Sequence, residues 1–292
     1  MKAALAGLAF AFCIGHGLPA VAADDQIGVV AAENFYGDIA RQIGGDRVPV
    51  VSIMSNPDQD PHLFETTPAT VRQIAKAQIV IVNGANYDPW MEKLLAVTPR
   101  AGRVVITAAD LTGRKPGDNP HLWYDPKTMP TVATAIADAF AKADPAHASD
   151  YAARLKTTLA ALERVTARVA QLKAKHAGTV VTATEPVFGP MADALGLTMR
   201  NQRFQLAMMN DTEPSARDLA AFERDLRERT VKVLIYNSQV SEKLTERLRD
   251  IATKSKVPVV GVTETMPANT SFQDWVLGEL DAIDKALSGP NS

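Results

Sequence analysis

The chain is poor in thiols: Cys13 is its one cysteine in 292 residues. That scarcity excludes a disulfide framework and a cysteine-based zinc site. There is no excess of positive charge. Thirty-one Lys and Arg stand against 33 Asp and Glu, a net charge of -2, so no basic excess exists to neutralise a phosphate backbone and a nucleic-acid partner is not expected. After the first two dozen residues no apolar run approaches the roughly 20 residues of a membrane-spanning helix. Short repeats and low-complexity tracts are lacking. So are an HExxH helix and an evident Ser-His-Asp set. What is present is ordinary globular material, 46% apolar and 22% charged, enough for one or two domains with real cores.

The N-terminus reads MKAALAGLAFAFCIGHGLPAVAA. Lys2 is a short positive region, and Ala3 to Ile14 has the length of a signal-peptide core. Ala20-Val21-Ala22 and Val21-Ala22-Ala23 both suit signal peptidase. These features predict a signal peptide over residues 1–23, cut near Ala23 to leave Asp24 first, rather than a buried N-terminal helix. Phe12 is too bulky for a lipobox at Cys13, so Cys13 and His16 are expected to leave with the signal. The product is expected to be exported and soluble.

The rest alternates strand-like and helix-like runs. Ile27 to Ala32, Val48 to Met54, Ile79 to Val82 and Val104 to Thr107 read as strands. Glu33 to Ile43, Thr67 to Ala77, Pro89 to Ala96 and Thr128 to Ala141 read as helices, with Thr67 a cap before Pro68. This alternation predicts an α/β fold with a mostly parallel sheet covered on both faces. A second half repeats the scheme, with strands at Thr179 to Ala183, Val231 to Tyr236 and Val257 to Val262. Its helices fall at Pro186 to Leu195, Ser215 to Arg229, Ser241 to Lys254 and Phe272 to Leu287.

Between the halves lies a different segment, about Ser149 to His176. Tyr151, Leu155, Leu159, Leu162, Val165, Val169 and Leu172 recur at steps of three and four, one stripe on one helix. About 28 residues at 1.5 Å each span roughly 42 Å. A coiled-coil partner helix would share this pattern. The clean stop at Gly178, where a new α/β pattern begins, favours an internal spine. The expected organisation is an N-terminal lobe over 24–143, a linking helix over 144–177 and a C-terminal lobe over 178–292.

Four histidines remain beyond the signal: His62, His121, His147 and His176. His147 lies in a polar helix entry and reads as surface. His176 closes the long helix, where the dipole favours it. His62 and His121 differ. Each follows a proline and precedes Leu and an aromatic residue, in Asp60-Pro61-His62-Leu63-Phe64-Glu65 and Asn119-Pro120-His121-Leu122-Trp123-Tyr124. The prolines restrict the backbone and help hold an imidazole. Glu185 follows the strand ending at Ala183, and Glu264 follows Val259-Val-Gly-Val-Thr. Ligands collect beyond the carboxyl ends of parallel strands. A cleft between the lobes lined by two imidazoles and two carboxylates suits a divalent transition metal. Glu264 alone could equally be a helix cap or a solvated carboxylate.

At these residues the chain resembles the periplasmic substrate-binding proteins of zinc and manganese ABC importers, the cluster A-I family. The resemblance covers nearly all of the mature chain, including both histidine loops, the long helix, Thr212-Glu-Pro-Ser-Ala-Arg-Asp-Leu, the strand Val231-Lys-Val-Leu-Ile-Tyr and the closing helix. It implies two α/β lobes bridged by the helix, with metal between them and little hinge motion. The family's first two ligands fall on His62 and His121. Its third, a His in many zinc members and a Glu in manganese members, falls on Glu185, and its fourth, an Asp or Glu, on Glu264. Two features depart from the pattern. Leu111 to Asn119 is short and lacks the His-rich loop of many zinc members, and Asn237-Ser238-Gln239 stands where many members read Glu-Pro-Gln.

The implied function is capture of one divalent ion in the periplasm and its delivery to an ABC permease in the inner membrane, by a monomer that is not an enzyme. Two carboxylates balance the ion's charge. Unprotonated imidazoles are required, so affinity should fall as pH drops toward about 6.5. Glu185 tilts the expected cargo toward manganese, with zinc next, because zinc binds the same ligands more tightly in the general affinity order. A secreted metalloenzyme using two His and a carboxylate is the rival reading. A surface adhesin is a third, disfavoured without a lipobox.

Overall fold

The computed structural model describes residues 26–57, 64–240 and 242–289. The signal segment and His62 lie outside the described residues. The chain forms two parallel four-stranded sheets joined by one long helix. In the first lobe β1 (Val29–Glu33), β2 (Val50–Met54), β3 (Ile79–Val82) and β4 (Val104–Thr107) lie in the order β2-β1-β3-β4. Helices α1 (Asn34–Gly44), α2 (Pro68–Lys76), α3 (Pro89–Val97), α4 (Ala108–Thr112) and α5 (Thr128–Ala143) cover it. In the second lobe β5 (Val180–Ala183), β6 (Thr198–Arg200), β7 (Leu234–Asn237) and β8 (Val259–Val262) repeat the topology as β6-β5-β7-β8. Its helices are α7 (Gly189–Ala194), α8 (Gln202–Met209), α9 (Ala216–Arg227), α10 (Lys243–Lys254) and α11 (Phe272–Ser288).

Central strands covered on both faces must be apolar throughout. Accordingly every residue of β1 and β3 is buried. Helix starts follow local chemistry. Thr67 caps α2 by accepting from the Thr70 N–H at 3.2 Å, and Pro68 occupies the first turn. Ser215 and Ser271 cap α9 and α11 in the same way. The β3 strand stops at Asn83-Gly84. Gly84 has φ of 75°, and a Cβ there would come within 2.7 Å of the Thr107 side chain, so only glycine turns the chain at this point.

The spine is α6 (Ala148–His176), 29 residues long. Tyr151, Leu162, Val165, Val169 and Leu172 are buried, and Leu155 and Leu159 are packed against the same core. This is the stripe expected from the sequence. It rests on α1, α5 and α11. Because α11 returns to the spine, one core runs through both lobes. Phe35 stacks on Trp123 with ring centroids 4.6 Å apart, and Tyr124 meets Phe188 at 5.4 Å and Trp275 at 5.8 Å. Each of these rings contributes about 1.5–3 kcal/mol by burial, which sets the two lobes rigidly together.

Three elements were not anticipated. The β6 strand has three residues and no buried one, so it carries no apolar run to read. Helix α8 follows it through Asn201, which turns in the left-handed region at φ of 59°. Helix α4 is a single five-residue turn. One expected boundary is corrected: Pro186 to Phe188 is a turn, and α7 begins only at Gly189. In the second lobe Val231 and Val257 are buried as expected but precede the hydrogen-bonded strands.

Candidate metal centre

The carboxyl ends of both sheets meet at one buried chamber. Glu33 ends β1, Asn83 follows β3 and Asn237 ends β7. Glu185 and Glu264 each stand two residues beyond a strand, β5 and β8. Two residues beyond Ala31 opposite Ile81, and beyond Ala183 opposite Ile235, the strand registers set Glu33 level with Asn83, and Glu185 level with Asn237. The two lobes thus present a carboxylate beside an amide at corresponding positions.

His121 is fully buried. It does not follow β4 directly: α4 and a further loop intervene before the short 3-10 turn Leu122–Tyr124. The loop is held from three directions. The Asn83 side-chain amide donates to the Pro120 carbonyl at 2.8 Å. Asn119 Oδ1 accepts from the His121 backbone N–H at 3.0 Å and pairs with His121 Nδ1 at 2.8 Å. Asn119 Nδ2 donates across the lobe boundary to the Pro186 carbonyl at 2.7 Å. An oxygen that already accepts the backbone N–H can pair with Nδ1 only by accepting again. In the neutral ring the proton therefore sits on Nδ1, which leaves Nε2 as the atom with a lone pair. Among the described residues Nε2 has no hydrogen-bond partner, and it lies 3.4 Å from Glu264 Oε2. A buried ring nitrogen with a lone pair and an oriented opposite side is the arrangement a metal-binding imidazole uses.

Glu185 and Glu264 are buried and share one donor. Asn237 Nδ2 lies 2.6 Å from Glu264 Oε1 and 3.3 Å from Glu185 Oε2. Tyr87, from the other lobe, donates its hydroxyl to Glu264 Oε2 at 3.0 Å. The segment carrying Glu264 is clamped on both sides of it. The Tyr124 hydroxyl lies 2.7 Å from both the Thr263 carbonyl and Glu279 Oε2, sharing its one hydrogen between them. Asn34 pairs with both backbone groups of Met266, at 2.7 and 3.0 Å. Gln239 Oε1 accepts from the Glu264 and Thr265 N–H groups at 2.5 and 3.0 Å.

The structure thus brings His121, Glu185 and Glu264 to one chamber. Among the described residues no three His, Cys, Asp or Glu side chains converge closely enough to hold an ion by themselves. His62 lies outside those residues; the described part of the loop after β2 ends at Pro57, and β2 pairs with β1 directly beside Glu33. A contact also ties that loop to the second lobe: Gln239 Nε2 donates to the Pro57 carbonyl at 2.7 Å. His147 and His176 are elsewhere. His147 pairs with Asp144 at 2.8 Å. His176 is more buried than a helix-end role required, pairing with Asp284 at 2.8 Å. Lys175 and Arg168 join that cluster and, with His176, hold the Asp284 carboxyl well below its usual range.

Sequence reasoning did not pick out four polar side chains of this chamber: Asn119, Asn83, Tyr87 and Glu33. The Asn-Pro-His spelling carried a signal for Asn119; nothing local marks the others. Glu33 is fully buried, and burial, then the neighbouring Asp88, raise its pKa well above the usual value. Asp88 is itself pushed up to about 6 by burial, against the pull of the Asn83 and Gly84 N–H groups it accepts from.

Two α/β lobes on one long helix, with paired carboxylates and an oriented imidazole between them, are an arrangement that suits a substrate-binding protein for a metal ion. The chain belongs to the ZnuA family, the periplasmic A component of zinc-uptake complexes, whose model matches residues 29–286. It is 24% identical over 91% of its length to the metal ABC transporter substrate-binding lipoprotein SloC of Streptococcus mutans, covering 92% of that protein. It is 25% identical to the manganese-binding lipoprotein MntA of Bacillus subtilis, over 76% of this chain and 74% of MntA. The solved periplasmic zinc-binding protein TroA of Treponema pallidum superimposes with a TM-score of 0.76 at 22% identity, over 89% of this chain and 99% of TroA. No helix among the described residues is long and apolar enough to cross a membrane.

Proposed function

We propose that the protein captures one divalent transition metal in the periplasm, binding it through His62, His121, Glu185 and Glu264, and releases it to an ABC permease. The observation that carries this reading is His121 itself: a fully buried imidazole whose Nδ1 is engaged by Asn119, with Nε2 directed 3.4 Å from the Glu264 carboxylate. Outside a metal site, burying a ring nitrogen that has no hydrogen-bond partner among the described residues would be costly. Two carboxylates would balance the charge of the ion, and two imidazoles would supply the borderline donors that transition metals favour. Relatives named for manganese and for zinc support the same class of cargo. The two oxygen donors favour manganese, and the general affinity order keeps zinc second. The rigid shared core argues that release comes from a small shift of the lobes against one another, driven by the docked permease. The exported chain would act as a monomer and perform no chemistry on its cargo.

The test is a competition titration of chelator-stripped protein from Asp24 onward with Zn²⁺ and Mn²⁺, by calorimetry with elemental analysis. One tight site per chain, lost in both His62→Ala and His121→Ala while the fold persists, is the expected result. No stoichiometric binding of either ion overturns the reading. Turnover of model esters or phosphates by the loaded protein would instead favour a metalloenzyme.

A further inference from the structure

Asn237 touches both buried carboxylates, Glu185 and Glu264. It is fully buried at the end of β7, and its Nδ2 lies 2.6 Å from Glu264 Oε1 and 3.3 Å from Glu185 Oε2. Its orientation is not free to invert. Asn237 Oδ1 accepts from the Gln239 backbone N–H at 3.1 Å, which fixes the nitrogen toward the two acids. Gln239 then ties the same short segment to the backbone of Glu264, to the Thr265 hydroxyl and to the carbonyl of Pro57, on the loop that leads to His62.

We propose that Asn237 is a specificity-determining positioning residue: by giving one N–H to each carboxylate it makes Glu185 and Glu264 single-oxygen donors. The inference rests on the metal-capture reading above. A neutral amide adds no charge, so the chamber keeps the two negative charges that balance a divalent ion. An amide nitrogen has two hydrogens, one for each acid. A carboxylate oxygen held closely by an N–H is a poorer second donor to a cation, so chelation of the ion by both oxygens of either acid is disfavoured; on Glu264 the amide holds Oε1 at 2.6 Å, whereas Oε2, which takes the Tyr87 hydroxyl at the longer 3.0 Å and faces His121 Nε2 at 3.4 Å, is the oxygen left for an ion. With two imidazoles, two single-oxygen carboxylates make four donors. Four donors suit zinc's tetrahedral preference, whereas manganese favours a fuller, oxygen-rich shell. Asn237 therefore opposes the tilt toward manganese that the oxygen content alone gives, and keeps zinc competitive.

The experiment compares wild-type protein with Asn237→Leu, which keeps the volume and removes both donors, and with Asn237→Ser, which keeps one donor on a shorter arm. Each is titrated with Zn²⁺ and Mn²⁺, and each Co²⁺-loaded form is recorded by visible absorption, which reads coordination number independently of affinity. Far-UV circular dichroism establishes folding. Zinc affinity is expected to fall about 10–100-fold in Asn237→Leu, the usual effect of losing an outer-shell partner, while the manganese-to-zinc affinity ratio rises. The intense bands of four-coordinate Co²⁺ should weaken toward those of a six-coordinate ion. Asn237→Ser should fall between, and it carries the test if the leucine variant does not fold. An unchanged affinity ratio and unchanged Co²⁺ bands in a folded variant overturn the proposal while leaving metal capture intact. A wild-type chain that binds no metal overturns both.

Discussion

Replacing Asn119 with alanine removes three hydrogen bonds: those to His121 N–H and Nδ1, and the one to the Pro186 carbonyl in the other lobe. The consequences separate into stability and affinity. Leaving a largely buried donor and acceptor unpaired costs about 1–3 kcal/mol. At about 2–4 °C per kcal/mol for a chain of this size, that lowers the melting temperature of the metal-free protein by several degrees. Losing the acceptor that orients the imidazole and fixes its tautomer should weaken metal binding about 10–100-fold, or roughly 1.4–2.8 kcal/mol. Asn119→Asp splits the two effects. Its oxygen still accepts from both His121 groups, but it has no hydrogen for Pro186. Affinity is therefore expected to stay near that of the wild type while the melting temperature falls. Competition titration with a chromophoric chelator and calorimetric melting of the stripped protein read the two quantities independently. If Asn119→Ala melts lower but binds metal as tightly as the wild type, His121 is not oriented through Asn119 and the argument for its lone pair fails.

Glu279 is buried and accepts from Tyr124, Thr263 and Trp275, at 2.7, 3.1 and 3.0 Å; burial nevertheless pushes its pKa up to about 8. A carboxyl raised from 4.5 in the folded state destabilises the fold progressively as pH rises from 4.5 to 8. Glu279→Gln should therefore melt close to wild type near pH 4.5 and higher by an amount that grows toward pH 8, on the order of a few kcal/mol; a constant difference across that range would show the carboxyl does not titrate there. The Arg103 guanidinium donates to the carbonyls of Thr98, Ile74, Ala77 and Ala75, closing the ends of α2 and α3. Arg103→Lys should lose about 1–3 kcal/mol because an ammonium cannot reproduce the fork, with metal affinity unchanged in titration; equal stability would refute this role. Glu185→His should raise the zinc-to-manganese affinity ratio, since an imidazole replaces an oxygen donor. If the competition titration shows no movement, Glu185 is not a ligand.

Much of the architecture is written in short-range pattern. The runs of β1 and β3 are apolar because both faces of a parallel sheet are covered, and the stripe from Tyr151 to Leu172 exists because one side of α6 must meet α1, α5 and α11. The Pro-His-Leu-aromatic spelling and the carboxylates beyond strand ends likewise mark candidate ligands without any coordinates. Three side chains were invisible in that pattern for a physical reason. Asn83, Tyr87 and Glu33 act through partners distant in sequence, and no local period or spacing encodes such a contact. Tyr87 reaches Glu264 across 177 residues of sequence. Asn119 and Asn237 could be seen as letters beside a motif, but which oxygen each amide serves depends on how two lobes meet. The β6 strand escaped because an exposed three-residue edge buries nothing that would stamp a pattern on it. Sequence alone thus determined the fold class, the spine and the residue types available to a metal. The tertiary structure decided their orientation, because hydrogen bonds between the lobes, from Asn119 to Pro186 and from Tyr87 to Glu264, exist only once both halves are packed on one core.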